Sequence, residues 1–431
     1  MLFTKLSSKH FTELSTKHFT RRKLLKPRRY CVNISVLLHT SQDYVLLYLG
    51  RENMQEHARI CKNMETQTME TMETKLESIA QAFNLGGTII STEVISAGKV
   101  NHTYKVIMKD PQGKLNPYLF QEVNTYVFKK PKEVMLNIDK VIKHIKQENP
   151  NALCLELLYA SDGHNYYITG NTFWRIYKYI DSVSYNSSKD PQLVYNAGVA
   201  FGDFQKHLSN FDANQLYETI VDFHNTPKRF ATLKSDYEAN LLDRAKECTA
   251  EVQYLFSMTD KACILHSLYA EGKIPKRVTH NDTKINNVLF DKTTNEALCV
   301  IDLDTVMPGF TGHDFGDAVR SAANSMGSAS LEFDKIRIDL DIFKAFAEGF
   351  LSKTKEVLTP AEISSLADSC LVMTLELASR YTDDFLTGDK YFKAKYPTQN
   401  LDRARNLIAL ARDMDKNMLK MREIINQVVK K

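Results

Sequence analysis

The stretch from Val278 to Asp304 constrains this chain more than any other. It reads V-T-H-N-D-T-K-I-N-N-V-L-F-D, then K-T-T-N-E, then A-L-C-V-I-D-L-D. Two apolar runs, Val288–Phe290 and Ala297–Ile301, flank the polar set Asp291–Glu296, a composition that predicts a β-hairpin. Antiparallel pairing brings the residue before the first run, Asn287, to the residue after the second, Asp302. Asp282 lies just upstream, on the segment that feeds the hairpin. Two carboxylates, an amide oxygen and the Lys284 ammonium are thereby gathered at one small place. Oxygen donors of this kind suit Mg²⁺, which takes one or two carboxylates and fills its shell with water and substrate phosphates.

The spacing His280-x-Asp282-x-Lys284-x-x-Asn287 has the form of the kinase catalytic loop, and Asp302 follows its hairpin as a metal-binding Asp does there. Phosphoryl transfer asks for a carboxylate to orient and deprotonate the acceptor hydroxyl, here Asp282, and a cation to hold the transferring group, here Lys284. It also asks for a metal between nucleotide oxygens, with Asn287 and Asp302 as candidate ligands. Asp and Asn are common turn residues, so an ordinary polar hairpin is the plain alternative. The register of Lys, Asn and the second Asp favours kinase-type chemistry.

With 431 residues, 43% of them hydrophobic, the chain is long enough for a large two-lobed domain or for two domains. The formal net charge of +4 makes no case for nucleic-acid binding. Seven cysteines without a C-x-x-C pair indicate neither a disulfide framework nor a zinc ribbon and fit a reducing, cytoplasmic setting. No run approaches the ~20 apolar residues of a membrane span. There is no G-x-x-x-x-G-K-[ST] and no G-x-G-x-x-G, which argues against P-loop and Rossmann folds.

Residues 1–71 read differently from the rest. Ser7–Thr12 recurs almost unchanged as Ser15–Thr20, and the first thirty residues carry nine Lys and Arg against one acid, Glu13. Such a start resembles an organelle transit peptide. A translation start at Met64, Met69 or Met72 is the alternative, and the favoured one. The segment is set aside as an extension, disordered or outside the native protein. From Met72 the pattern becomes regular. A helix is predicted over Thr74–Phe83, strands over Thr88–Ile95, Thr103–Met108 and Tyr118–Val123, and a helix over Pro131–Gln147. Further strands are predicted over Cys154–Ala160, Tyr166–Thr169 and Trp174–Ile180. Between the first two strands, the small-residue loop Ser96–Thr103 can let backbone amides approach phosphates, although an ordinary turn fits equally. Beyond Tyr177–Ser184 the pattern is mainly helical, over Pro191–Leu208, Thr232–Phe256, Asp260–Glu271 and most of Leu331–Lys430. Gly198 and Gly202, four apart, allow close helix packing. The result is an α+β, bilobal expectation: a small antiparallel-sheet lobe over 72–178 and a larger helical lobe over 179–431.

From about Met72 onward the chain resembles the N-acetylhexosamine 1-kinases, sugar kinases of the aminoglycoside-phosphotransferase and choline-kinase type with a protein-kinase-like fold. The resemblance rests on G-x-[IV]-N-x-T-Y (Gly98–Tyr104), F-Q-x-x-N (Phe120–Asn124), W-R-x-Y-x-x-I (Trp174–Ile180) and A-F-G-D-F-Q (Ala200–Gln205). It continues through F-H-x-T-P-x-R-F (Phe223–Phe230), the Arg277–Asn287 and Ile301–Gly309 segments, D-F-G-D (Asp314–Asp317), G-D-x-Y-F (Gly388–Phe392) and K-Y-P (Lys395–Pro397).

This resemblance implies ATP- and Mg²⁺-dependent phosphorylation of the anomeric hydroxyl of N-acetylglucosamine or N-acetylgalactosamine. It makes Asp282 the base, with Lys284 beside it, and Asn287, Asp302 and Asp304 the metal contacts. Gly98, Asn101 and Thr103 become the lid over the phosphates. Gln121 stands on the nucleotide side, where a protein kinase keeps a lysine. Phe223, His224, Arg380 and Tyr391 become the sugar contacts. Lys99 replaces a histidine of the family at the sugar, which bears on acceptor choice. Arg380 has Asp383 and Asp384 at i+3 and i+4, so a helix ion pair is its plain alternative, and Tyr391 could equally belong to the core. The D-F-G-D run comes after the metal Asp, so Asp314 and Asp317 read as acceptors bracing the catalytic loop. The partners implied are a small sugar and a nucleotide, with no nucleic acid and no membrane; the oligomeric state is open.

Overall fold

The computed structural model describes residues 72–95 and 100–430 in full, and only the backbone of the strands Lys5–Leu6, Asn33–Thr40 and Asp43–Leu49 before them. Residues 1–80 and 81–431 form separate compact units. In the first unit those three strands pair antiparallel. The rest of the 1–71 reading, and Gly98 and Lys99, lie outside the described residues.

A helix at 72–82 leads into the five-stranded antiparallel sheet of the second unit. Its strands are β1 (Thr88–Ile95), β2 (His102–Lys109), β3 (Leu115–Val123), β4 (Tyr167–Thr169) and β5 (Thr172–Lys178), in the order β1-β2-β3-β5-β4. Helix α1 (Pro131–Glu148) follows β3. Pro131 begins it and Val134, Ile138, Val141 and Ile145 form its buried stripe. Each fully buried aliphatic side chain of this kind stabilises by about 2 kcal/mol. The stripe joins a core that includes Phe173, Tyr177, Cys299, Leu303 and Val306, so one apolar cluster runs from the sheet to the Val278–Asp304 segment.

The helical lobe comprises α2 (Pro191–His207), α3 (Thr226–Ala239), α4 (Thr249–Ser257), α5 (Thr311–Ala322), α6 (Leu340–Thr354), α7 (Pro360–Thr387) and α8 (Gln399–Lys430). Short helical turns at Thr259–Ala262 and Ile264–Ala270 link α4 to strand β6 (Arg277–Thr279). The two-lobed α+β expectation is met.

Several predicted elements change. Cys154–Ala160 makes only an isolated bridge, Leu157 to Tyr177, along the half of the β5 edge that β4, paired with Thr172–Trp174, leaves free. Thr232–Phe256 is not one helix. Asn240 turns left-handed at φ 41° and its side chain accepts from the Ala245 amide, which ends α3 and redirects the chain. Leu331–Lys430 divides into three helices at capped ends. Asp339 caps α6, Thr359 and Glu362 form a reciprocal box at α7, and Gly388 closes α7 in the left-handed region.

Glycine sets the closest helix contact. A Cβ on Gly198 would stand 2.5 Å from the Phe346 carbonyl oxygen, and one on Gly202 2.6 Å from that of Phe350. Helices α2 and α6 therefore pack backbone to backbone. This seats Phe201 and Phe204 of α2 edge-on against His280, with ring centroids 5.6 and 5.9 Å away.

Candidate active site

Strands β7 (Val288–Phe290) and β8 (Ala297–Val300) pair antiparallel, with Val288 opposite Val300. The Ile301 amide donates to the Asn287 carbonyl at 2.9 Å, closing the open end and placing Asp302 beside Asn287. Strand β9 (Met307–Gly309) then returns to β6, so both ends of the 280–306 segment are held by strand pairing.

The loop between β6 and β7 is fixed from beneath. Asn281 has φ 65°, a left-handed conformation that Asn tolerates. His280 is buried; its Nε2 meets the Ile301 carbonyl at 2.8 Å and its Nδ1 accepts from the Asp282 amide at 3.2 Å. These partners assign the Nε2–H tautomer. Asp314 on α5 accepts from the amides of His280 (2.9 Å) and Asn281 (2.8 Å) and from Gln205 Nε2 at 2.6 Å. Burial raises its carboxyl, while His280 and these donors oppose the rise. The glycine of the D-F-G run, Gly316, has a different use: a Cβ there would collide with the Ser369 carbonyl of α7. Asp317 pairs with Arg320 at 2.6 Å rather than with the loop itself.

On this platform the Asp282 carboxylate contacts the Lys284 ammonium and accepts from Asn287 Nδ2 at 3.1 Å. Burial works against the Lys284 charge, but Asp282 and Asp317 together raise its pKa. Asp302 has φ 61°. Asp302 is exposed at the surface, yet neighbouring protein still encloses part of its carboxylate. That enclosure, with the carboxylates of Asp304 and Asp282, pushes its pKa up to about 6.

Among the described residues neither the Asp302 carboxylate nor Asn287 Oδ1 has a hydrogen-bond partner, and the Ile301–Asn287 backbone bond brings these two residues to the same end of the hairpin. No group of three or more His, Cys, Asp or Glu gathers as a metal site among the described residues. One carboxylate and one amide oxygen do not make a complete cage, but they match the partial set by which Mg²⁺ is held when phosphates and water supply the rest.

The structure engages Asp304 differently from the metal-contact expectation. It forms a buried ion pair with Arg175, through Arg175 Nη1 to Oδ1 and Nη2 to Oδ2 (3.0 Å), and Oδ2 also accepts from Asn101 Nδ2 at 2.7 Å. Both of its oxygens are occupied. Gln121 is likewise engaged, donating to Thr103 Oγ1 and accepting from Arg175 Nε, each at 3.0 Å. Arg175 is the residue sequence reasoning missed. A lone arginine inside the apolar strand W-R-I-Y was the available signal.

The acceptor-side residues divide. Arg380 on α7 lies over the rings of Phe223 (5.6 Å), Tyr391 (5.5 Å) and Phe392 (5.5 Å). The helix ion pair is not formed. Asp384 is taken by the amides of Tyr391 and Phe392 and by Asn400, whereas burial and the neighbouring Asp236 push Asp383 up to about 7. Tyr391 is 67% exposed, which excludes a core role. His224, by contrast, is buried with both ring nitrogens engaged, Nδ1 on Glu376 at 2.7 Å and Nε2 on the Asn281 carbonyl at 3.1 Å. Burial opposes its protonation, but Glu376 and these contacts raise its pKa. It braces the residue before Asp282 and offers no ring nitrogen to an acceptor.

Residues 91–337, more than half of the chain, match the phosphotransferase enzyme family, and the chain belongs to that family. Solved structures with the same fold include a microcompartment-associated aminopropanol kinase, 16% identical over 79% of this chain and 98% of that one, with TM-score 0.56. An amicoumacin kinase in complex with AMP-PNP and Ca²⁺ is 13% identical over 81% and 95% of the two chains, with TM-score 0.54. An aminoglycoside phosphotransferase from Alicyclobacillus acidocaldarius is 14% identical over 79% and 93%, with TM-score 0.52.

Proposed function

We propose that this phosphotransferase transfers the γ-phosphoryl group of ATP to the anomeric hydroxyl of N-acetylglucosamine or N-acetylgalactosamine. The observation that carries the reading is Asp282 set between Lys284 and Asn287, with the partnerless Asp302 carboxylate beside them. Asp282 takes the proton of the acceptor hydroxyl as its oxygen bonds to phosphorus and ADP departs. A hemiacetal hydroxyl is more acidic than a simple alcohol, so a carboxylate base suffices. Lys284 offers its charge to the transferring group. Mg²⁺ held by Asp302 and Asn287 would neutralise nucleotide charge. ATP as donor is supported by the AMP-PNP complex of the amicoumacin kinase.

The lobe over 72–178 would cover the nucleotide, with Gly98, Asn101 and Thr103 over the phosphates, and the lobe over 179–431 would hold the acceptor. For the sugar, the resemblance is supported by the wall of Phe223, Arg380 and Tyr391, where aromatic faces and a guanidinium with no ion pair among the described residues suit a hydroxyl-rich ring. The test is phosphate transfer from ATP with Mg²⁺ to the two amino sugars, choline and kanamycin, beside Asp282→Asn. Transfer to an amino sugar, reduced at least ~10²-fold in the variant, is the expected result. Transfer confined to choline or kanamycin refutes the sugar reading and keeps the chemistry.

A further inference from the structure

Thr103, Gln121 and Arg175 are direct cross-strand partners on β2, β3 and β5, so their side chains project from one face of the sheet in a single row. The row is hydrogen-bonded throughout, from Gln121 Nε2 to Thr103 Oγ1 and from Arg175 Nε to Gln121 Oε1. Its far end leaves the sheet. The Arg175 guanidinium, only 1% exposed, takes both oxygens of Asp304, a residue 129 positions later and two beyond Asp302. Asp304 in turn accepts from Asn101, which immediately precedes β2, and the Asn101 oxygen accepts from the Asn124 amide at 3.0 Å. Arg175 also lies 3.8 Å from Met135 Sδ on α1 and over the Tyr177 ring at 5.3 Å.

We infer that Arg175 is a positioning residue for nucleotide binding, the clasp that holds Asn101, at the start of β2, and the 302–304 turn in one register against the sheet. A buried carboxylate and guanidinium are costly to desolvate, and such a pair is weak evidence for stability alone. What this pair adds is geometry, because a bidentate fork fixes both distance and orientation. Protein kinases meet the nucleotide phosphates with a strand lysine, but the residue facing inward at that point of β3 is Gln121, already joined to the clasp. Arg175 is too enclosed to reach a phosphate itself and acts through Asn101 and Asp304. The inference rests on the reading of Asn101, Thr103 and Asp302 as nucleotide and metal contacts.

The experiment compares wild type, Arg175→Met and the double variant Arg175→Met/Asp304→Asn, which carries no uncompensated carboxylate should the single variant fail to fold. Binding of ATP with Mg²⁺ is measured by calorimetry, KM for ATP and for the acceptor by kinetics, and Tm by calorimetric scan. The expected result is a loss of ATP affinity of tenfold or more in every variant that folds, with acceptor KM within twofold of wild type. The double variant should recover Tm relative to the single one without recovering ATP affinity. Recovery of both together makes the pair a matter of charge compensation and overturns the inference, as does ATP affinity within twofold of wild type in both variants. Wild-type protein that binds no ATP overturns the underlying nucleotide reading, and this inference with it.

Discussion

Replacing Glu376 by Gln tests whether the loop that carries Asp282 stands on a buried ion pair. Glu376 is 1% exposed; it faces His224 at 2.7 Å and accepts from Thr226 Oγ1 at 2.6 Å. Burial alone would raise its carboxyl. The His224 charge and hydrogen bond, with Arg380 and Thr226, instead bring it from the ordinary 4.5 down to about 2. At about 1.4 kcal/mol per pH unit, that shift corresponds to about 3 kcal/mol of stabilisation. The sign follows from the direction of each shift. A depressed carboxyl contributes fully above its unfolded pKa, so the Glu376 share is present above about pH 4.5 and is lost as pH falls through about 2. His224 is raised, so its share is complete below the ordinary 6.5 and is lost as pH rises through its folded value. Urea unfolding of wild type and Glu376→Gln should therefore differ by about 3 kcal/mol near pH 6, and the difference should shrink steadily from pH 4.5 downward. An equal difference at pH 3 and pH 6 would show that the glutamine disturbs packing, and the ion-pair argument would fail.

Two further outcomes follow from the same platform. Asp314→Asn keeps the shape but turns one acceptor into a donor facing a loop amide, so it should cost about 3 kcal/mol in urea unfolding and lower kcat; unchanged stability and kcat would remove Asp314 from its bracing role. Gly202→Ala puts a Cβ 2.6 Å from the Phe350 carbonyl and forces α2 from α6, so it should lose about 2 kcal/mol despite the helix propensity gained, read as a fall in Tm. A higher Tm would show that the helices can move apart freely.

What the sequence made legible is what short-range chemistry decides. The β7–β8 hairpin and the Asp282, Lys284, Asn287 set lie within about 25 residues, where spacing alone determines which groups meet. Gly198 and Gly202 announced a close helix contact because four residues make one helical turn. The α3 break was harder to see. Asn240 interrupts a run whose apolar residues continue on both sides, and only the left-handed turn reveals it. Asp314 was legible as a brace, but the paired supports of the site were not. Arg175 and Asp304 are 129 residues apart and His224 and Glu376 152 apart, and no periodicity links such positions.

That difference separates Asp304 and His224, whose polar atoms the fold already engages, from Asp302, whose carboxylate has no donor among the described residues. Polar residues beside a catalytic segment can face the substrate or hold the segment, and sequence proximity does not distinguish the two. Partner inventory does. Asp314 has two amides and Gln205, Glu376 has His224 and Thr226, and Asp304 has Arg175 and Asn101; each is a buried acid whose oxygens are already satisfied. Asp282 shares its contacts with Lys284 and Asn287, two groups that can also turn toward a bound substrate. Asp302 has no hydrogen-bond donor among the described residues, sits in a left-handed backbone conformation and is pushed upward by its neighbours. A crowded carboxylate without a donor is relieved by any positive charge that approaches it, so of these acids Asp302 is the one whose oxygens the described residues leave open.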